Sequence, residues 1–254
     1  MKYRIVMAVL GTMLALAAAA QPKVVAHRGY WRHAGSAQNS LAAFNKADSI
    51  GVYGAEIDVW MTADGRLVVN HDKVFKGVDM ENDTYDTIRR VRLDNGEVLP
   101  DLDEYLRLVQ SKPGTRLVLE MKSLTDLRRE DECAAKIVDA LRRYGLLERT
   151  DIIAFSINAC LAFKKLCPVG LPIYYLEGDL DPAKLGRLGL SGLDYHHSII
   201  LAHPEWVDIA HKAGLKVNAW TVDNADTMRK LINLGVDFIT TNEPELLQAV
   251  IKEQ

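Results

Sequence analysis

Cysteine is scarce: the 254 residues carry three, Cys133, Cys160 and Cys167. An odd number without C-x-x-C spacing excludes a disulfide-stapled scaffold and speaks against a structural zinc site. Cys160 and Cys167 lie seven apart in a helical pattern, about 10 Å along an axis and beyond disulfide reach, so three free, buried thiols are expected. Excess positive charge is missing as well. With 31 basic and 34 acidic residues, a net charge of −3 and a pI near 6.2, the chain lacks the electrostatic footprint of a nucleic-acid binder. No internal repeat, low-complexity tract or Gly/Ser-rich linker interrupts it, so residues 21–254 read as one domain. Long apolar runs are absent too. The uncharged run from Ile5 to Leu16 follows the basic start Met1-Lys2-Tyr3-Arg4 and precedes Ala17-Ala18-Ala19-Ala20. It is too short to span a bilayer comfortably and fits a secretory signal peptide over residues 1–20, cleaved after Ala20. The expected product is exported, periplasmic or extracellular, and keeps no membrane span. Loss of Lys2 and Arg4 takes its charge from −3 to −5.

What is present is alternation. Short β-rich runs (Lys23–His27, Gly54–Val59, Leu67–His71, Arg116–Met121, Asp151–Phe155, Ile173–Leu176, Leu193–His196, Lys216–Trp220 and Asp237–Thr240) are separated by helical patterns. The helical stretches are Leu41–Ser49, Asp101–Gln110, Glu130–Tyr144, Ala159–Leu166, Pro204–Ala213 and Ala225–Leu234. Gly145, Gly214 and Gly235 stand where three of them should stop, and Asp223-Asn224 where the last begins. Continuously apolar strands alternating with helices imply a parallel sheet, as a (β/α)₈ barrel or a doubly wound sheet. Nine strand candidates compete for eight barrel positions, and Leu193–His196 or Asp237–Thr240 is expected to be the extra one. Between Asp58 and His71 the chain is too short for a helical crossover. It is either an antiparallel hairpin or an extended return along the barrel.

Polar residues gather at the strand ends. The first ends His27-Arg28-Gly29, the second carries Glu56-x-Asp58, the third ends His71-Asp72 and the fourth carries Glu120-x-Lys122. A period of two puts both members of each x-spaced pair on one face, and inward residues at the C-terminal strand ends of a barrel form its active site. Three carboxylates without a cysteine suit one hard divalent cation, Ca²⁺ or Mg²⁺. Arg28 and Lys122 suit a phosphate, and two histidines can serve as general acid and base. Together these groups describe metal-assisted phosphodiester cleavage.

These stretches resemble the glycerophosphodiester phosphodiesterase family. The resemblance is carried by His27-Arg28-Gly29, Gly54-Ala55-Glu56-Ile57-Asp58-Val59, Val68-Val69-Asn70-His71-Asp72, Leu119-Glu120-Met121-Lys122, Ala219-Trp220-Thr221-Val222-Asp223 and Gly235–Thr241, and it runs from about 23 to 247. It implies a (β/α)₈ TIM barrel without a helix between the second and third strands, and hence the short crossover. A short insertion, roughly 75–101, would follow the third strand. It also implies metal ligands Glu56, Asp58 and Glu120, and acid/base roles for His27 and His71. The implied substrate is a small glycerophosphodiester. One departure stands out: Ala37-Gln38-Asn39-Ser40 replaces the family's Pro-Glu-Asn-Thr, and Gln38 can hydrogen-bond but carries no charge.

Gln38, Trp60, Phe75 and Trp220 are the candidate pocket residues, with Trp31 a further aromatic near the mouth. Two other readings compete. One is a phospholipase-D-like activity on lysolipids or sphingolipids, favoured by an apolar rim. The other is a non-catalytic binding protein, disfavoured by the intact histidines and carboxylates. The leader reading makes one direct prediction: amino-terminal sequencing of the exported protein starts at Gln21. A secreted chain still beginning at Met1 contradicts it.

Overall fold

A computed structural model describes residues 21–253. The proposed signal segment, 1–20, lies outside them. The strands in chain order are β1 (Lys23–Ala26), β2 (Gly54–Met61), β3 (Leu67–Val69), β4 (Val74–Phe75), β5 (Val78–Asp79), β6 (Arg116–Met121), β7 (Thr150–Ala154), β8 (Ile173–Tyr175), β9 (Gly192–His196), β10 (Lys216–Trp220) and β11 (Phe238–Thr241). The helices are α1 (Leu41–Ser49), α2 (Tyr85–Ile88), α3 (Leu102–Ser111), α4 (Leu127–Arg143), α5 (Ile157–Leu166), α6 (Pro182–Arg187), α7 (His197–Ala202), α8 (Glu205–Lys212), α9 (Ala225–Leu234) and α10 (Pro244–Lys252).

Eight parallel strands close on themselves in the order β1-β2-β6-β7-β8-β9-β10-β11, with β11 pairing back onto β1. This is the (β/α)₈ barrel. The period of two sorts the side chains into two cores. Val25, Val118, Ile153, Tyr174, Leu176 and Phe238 fill the barrel interior. Their strand neighbours, among them Ala26, Leu117, Leu119, Ile152, Leu193, Val217 and Ile239, pack outward against the helices. All eight residues of β2 are buried for this reason.

Three expectations need correction. Leu193–His196 and Asp237–Thr240 both contribute to barrel strands, β9 and β11. The extra strand is β3, which pairs antiparallel with β2 through Val59↔Val69, Trp60↔Val68 and Met61↔Leu67. The connection is therefore the hairpin and not a short crossover. The hairpin still brings Asp58 and His71 together, because Asp58 is not the end of its strand. β2 runs on to Met61, the Asp64-Gly65 turn reverses the chain beyond the mouth, and β3 returns until Asn70 N donates to the Asp58 carbonyl at 3.0 Å. Thirdly, the insertion does not follow a barrel strand: no helix stands between β2 and β3, as expected, but the segment after β3 lies in the crossover from β2 to the next barrel strand, β6, and this crossover contains α3. α3 starts with a reciprocal capping box: Asp101 accepts from Glu104 N, and Glu104 accepts from Asp101 N.

The glycine stops hold: Gly145, Gly214 and Gly235 take φ of +66°, +75° and +80° after α4, α8 and α9. Among the described residues no helix is long and apolar enough to cross a membrane. The three cysteines are free and buried, as expected.

Gly192 sets the tightest contact in the barrel wall. A Cβ there would lie 2.0 Å from the Lys216 backbone oxygen, which the β9–β10 ladder holds in place. Gly192→Ala should destabilise the fold by about 3 kcal/mol or more. Gly114→Ala, at a position with nothing within 4 Å, should change stability by less than about 1 kcal/mol. Denaturant midpoints for the two variants measure the contrast.

Candidate active site

At the end of β1 the chain makes a tight left-handed turn, Arg28 at φ 55° and Gly29 at φ 73°. A Cβ on residue 29 would approach Ala43 Cβ to 2.7 Å, so glycine lets the turn lie directly on α1. The turn aims the Arg28 amide into the barrel, where it donates to Glu56 Oε2 at 2.7 Å. Its guanidinium reaches Gln38 Oε1 through Nη1 at 2.5 Å, and Nε lies 3.8 Å from Asp58 Oδ2. Gln38 thus orients the arginine from outside the pocket.

Glu56 and Asp58 on β2 and Glu120 on β6 face each other, and one carboxylate oxygen of each lies within 4.8 Å of the others. All three are buried. Lys122, two residues beyond Glu120, places Nζ 2.7 Å from Glu120 Oε1 and 3.1 Å from Asp58 Oδ1. Asp58 is also clamped by Asn39, whose Nδ2 donates to Oδ2 at 2.8 Å while its Oδ1 accepts from Asp58 N at 3.1 Å. Asn39 holds a left-handed φ of 60° to do this, and Ser40 caps α1. Burial works against every charge here. Asp58 nevertheless sits well below the usual carboxylate range, because Lys122, His71, Arg28 and Asn39 favour its anion. Burial and the neighbouring Asp58 push Glu120 up to about 7, and burial with Asp58 and Glu120 drives Glu56 well above the ordinary value.

These residues fit a divalent cation. The donors are hard carboxylate oxygens, and Glu56 Oε1 is buried without a hydrogen-bond partner. With Arg28 and Lys122 charged, three carboxylates leave a net single negative charge. A divalent ion would turn this into a single positive one, matching the single charge of a phosphodiester.

His27 Nδ1 lies 2.9 Å from Asn242 Oδ1. Asn242 is oriented by Asp223, to which it donates through both N and Nδ2, so its carbonyl oxygen is what faces the ring. Nδ1 must then carry the proton, leaving Nε2 with a lone pair. Burial, helped by Arg28, lowers the His27 pKa to about 4, so the ring is neutral. Trp31 Nε1 donates to the same Asn242 oxygen at 2.8 Å. His71 arrives from β3 and pairs Nδ1 with Asp72 Oδ1 at 2.7 Å. Burial lowers its pKa too, with Asp58 and Asp72 opposing.

A pocket of about 440 Å³ of empty space opens between these groups. His27, Arg28, Glu56, His71 and Glu120 line one side; Ile153, Phe155, Leu176 and Trp220 line the other, with Asp194, Thr221 and Thr240. Of the sequence candidates, Trp220 lines it. Trp60 does not: it is buried in the hairpin, where its indole donates to the His71 carbonyl at 3.3 Å. Phe75 is also outside, packed under Lys76 on the small β4–β5 sheet. Asn242, Asp223 and Asp194 were not legible as site residues. Asn242 is 215 residues from the histidine that it orients. Asp223 reads as a helix cap, a task that Asn224 performs alone.

Comparison with known proteins places this geometry. A model of the glycerophosphoryl diester phosphodiesterase family matches residues 27–246. A glycerophosphodiester phosphodiesterase of Caldanaerobacter subterraneus is 31% identical over 243 residues, covering 91% of this chain and 98% of its own. A crystal structure of a glycerophosphodiester phosphodiesterase from Parabacteroides distasonis superposes with a TM-score of 0.90 at 42% identity, covering 92% of this chain and 98% of that one. An Oleispira antarctica phosphodiesterase, solved with the product sn-glycerol-3-phosphate, gives a TM-score of 0.79 at 27% identity over 91% of this chain and 97% of its own.

The Asn39 clamp yields a prediction. Asn39→Gly keeps the left-handed backbone comfortable but removes the amide from Asp58. Affinity for Ca²⁺ or Mg²⁺, measured by calorimetry, should fall about tenfold or more, and the thermal midpoint of the cation-free protein should fall too, because two buried hydrogen bonds to Asp58 are lost. Unaltered affinity would show that Asp58 needs no support.

Proposed function

The chain belongs to the glycerophosphoryl diester phosphodiesterase family, and we propose that it hydrolyses glycerophosphodiesters to glycerol 3-phosphate and an alcohol, with one divalent cation and two histidines. The observation that carries this reading is a single pocket into which His27, His71, Arg28 and two of the three clustered carboxylates all open. The relative solved with sn-glycerol-3-phosphate supports the substrate class.

Glu56, Asp58 and Glu120 would hold the cation, and Ca²⁺ or Mg²⁺ suits their all-oxygen set. When bound, it supplies positive charge that polarises the phosphate. The chain's own residues do the rest. Arg28 Nε is buried without a hydrogen-bond partner, so a phosphate oxygen would give it one. Lys122 holds a second positive charge beside Asp58 and Glu120. His27, kept neutral with its lone pair on Nε2, is the base that takes the proton from the attacking hydroxyl, either water or the neighbouring glycerol oxygen, the latter giving a cyclic phosphate that water then opens to glycerol 3-phosphate. Asn242 and Asp223 fix its tautomer. The Asp72 carboxylate at His71 Nδ1 opposes the effect of burial and favours the imidazolium, and in that protonated form His71 is the acid that gives its Nε2 proton to the departing alkoxide. The apolar wall of Phe155, Leu176 and Trp220 excludes water from the reacting centre.

Export completes the proposal. It is supported by the basic start, apolar run and small-residue tail of residues 1–20.

The two histidines are separated by leaving-group chemistry. His27→Ala and His71→Ala should each lower kcat on glycerophosphocholine by about 10² or more. A p-nitrophenyl ester of glycerol phosphate needs no protonation to depart, so it should rescue His71→Ala and not His27→Ala. The opposite pattern of rescue reverses the roles, and undiminished kcat in both variants rejects the pair.

A further inference from the structure

The apolar side of the pocket contains one group that no step above uses. Asp194 projects inward from the middle of β9, among Ile153, Phe155, Leu176 and Trp220. It is 1% exposed, and its Oδ1 has no hydrogen-bond partner. No arginine or lysine pairs with it among the described residues. Asn218, its register partner on β10, hydrogen-bonds the carboxyl group and leaves Oδ1 over, and an unsatisfied buried oxygen costs about 1–3 kcal/mol until a ligand completes it. Its surroundings are meanwhile well fixed. The Trp220 indole donates to the Asp194 backbone carbonyl at 2.8 Å, and Phe155 packs edge-on against Trp220 with ring centroids 5.7 Å apart. The position of Asp194 on the pocket wall is thus set by a hydrogen-bonded aromatic pair and by the β9 ladder.

We propose that Asp194 is the group that recognises a hydroxyl of the polyol part of the substrate, and so discriminates glycerol-type esters from alkyl esters of the same size. This rests on the phosphodiesterase reading and deepens it. Burial raises the Asp194 pKa to about 8, with Glu120 adding to the rise and Asn218 opposing it, which favours the protonated carboxyl. A neutral carboxyl offers one O–H donor and one acceptor, the complement of an alcohol. Along a wall lined mainly by Ile153, Phe155, Leu176 and Trp220, Asp194 is the one carboxyl, with Thr221 and Thr240 as the other polar side chains. The same chemistry is offered by the glycerol that stays on the phosphate and by a departing alcohol that is itself a polyol.

The test uses the cation-loaded enzyme and the variants Asp194→Leu and Asp194→Asn, each first checked for an unchanged fold by circular dichroism and thermal melting. Binding of sn-glycerol 3-phosphate and of propyl phosphate is measured by calorimetry. The kcat/KM is measured on glycerophosphocholine and glycerophosphoglycerol. If Asp194 reads the retained glycerol, Asp194→Leu weakens glycerol 3-phosphate binding tenfold or more and propyl phosphate less than threefold. If it reads the departing alcohol, product binding is unchanged, but the preference for glycerophosphoglycerol over glycerophosphocholine falls tenfold or more. In both cases Asp194→Asn, which keeps a donor and an acceptor, retains most of the discrimination. Equal losses on all ligands, or no loss on any, overturn the proposal. Should Asp194→Leu not fold, loss of discrimination in Asp194→Asn no smaller than its general loss of affinity overturns it equally. A wild-type enzyme that binds neither phosphate and cleaves neither diester defeats the phosphodiesterase reading itself.

Discussion

Three carboxylates are buried side by side at the mouth of the barrel, and much of the surrounding structure serves to make that tolerable. An isolated buried carboxylate costs several kcal/mol, and like charges at this spacing add to the cost. Arg28, Lys122, Asn39 and the Arg28 amide each remove part of it. Asp58 takes the largest share and stays ionised. Glu56 and Glu120 are left short of partners, and their raised pKa values show it. The signs follow. A depressed folded pKa makes Asp58 a source of stability above the usual carboxylate range, lost as pH falls. Raised values make Glu56 and Glu120 a cost that grows as pH climbs from their unfolded values near 4.5 toward neutrality. A cluster that strains against its own charge at neutral pH is one that a cation would relieve.

The supports come from far apart in the chain, and the barrel is what collects them. The β1 turn brings Arg28, the loop before α1 brings Asn39, β6 brings Glu120 and Lys122, and the end of β11 brings Asn242. β3, paired antiparallel to β2, adds His71 without occupying a barrel position. This explains why the short link between Asp58 and His71 is compatible with both residues serving one pocket. The reversal takes place above the mouth, and the returning strand lays His71 beside the carboxylates.

The sequence carried the barrel and the inward residues because both depend on local pattern. Glu56-x-Asp58 and Glu120-x-Lys122 have the period of a strand, and Arg116–Met121, Lys216–Trp220 and Ala225–Leu234 are bounded as their patterns predict. The hairpin was misjudged because the strand was ended at Val59. A buried β2 running two residues further cannot be told from a turn by hydrophobicity alone. Asn39, Asn242 and Asp223 were illegible for a different reason. Each acts through a contact with a distant element, and asparagine or aspartate near a helix start or strand end reads as a cap or a turn. Trp60 and Phe75 erred the other way: large aromatics near the mouth look like pocket walls, but Trp60 packs in the β2–β3 hairpin and Phe75 on the small β4–β5 sheet.

Stability and catalysis should both depend on a cation held by the buried carboxylates. The most direct measurement is the thermal midpoint of chelator-stripped protein at neutral pH, titrated with Ca²⁺ and Mg²⁺ while hydrolysis of glycerophosphocholine is followed in parallel. A cation present at about a hundred times its dissociation constant adds about 2.7 kcal/mol, so the midpoint should rise by about 5 °C or more and activity should return over the same concentration range. A stripped protein with full activity, and a midpoint that millimolar cation leaves unmoved, would contradict the account.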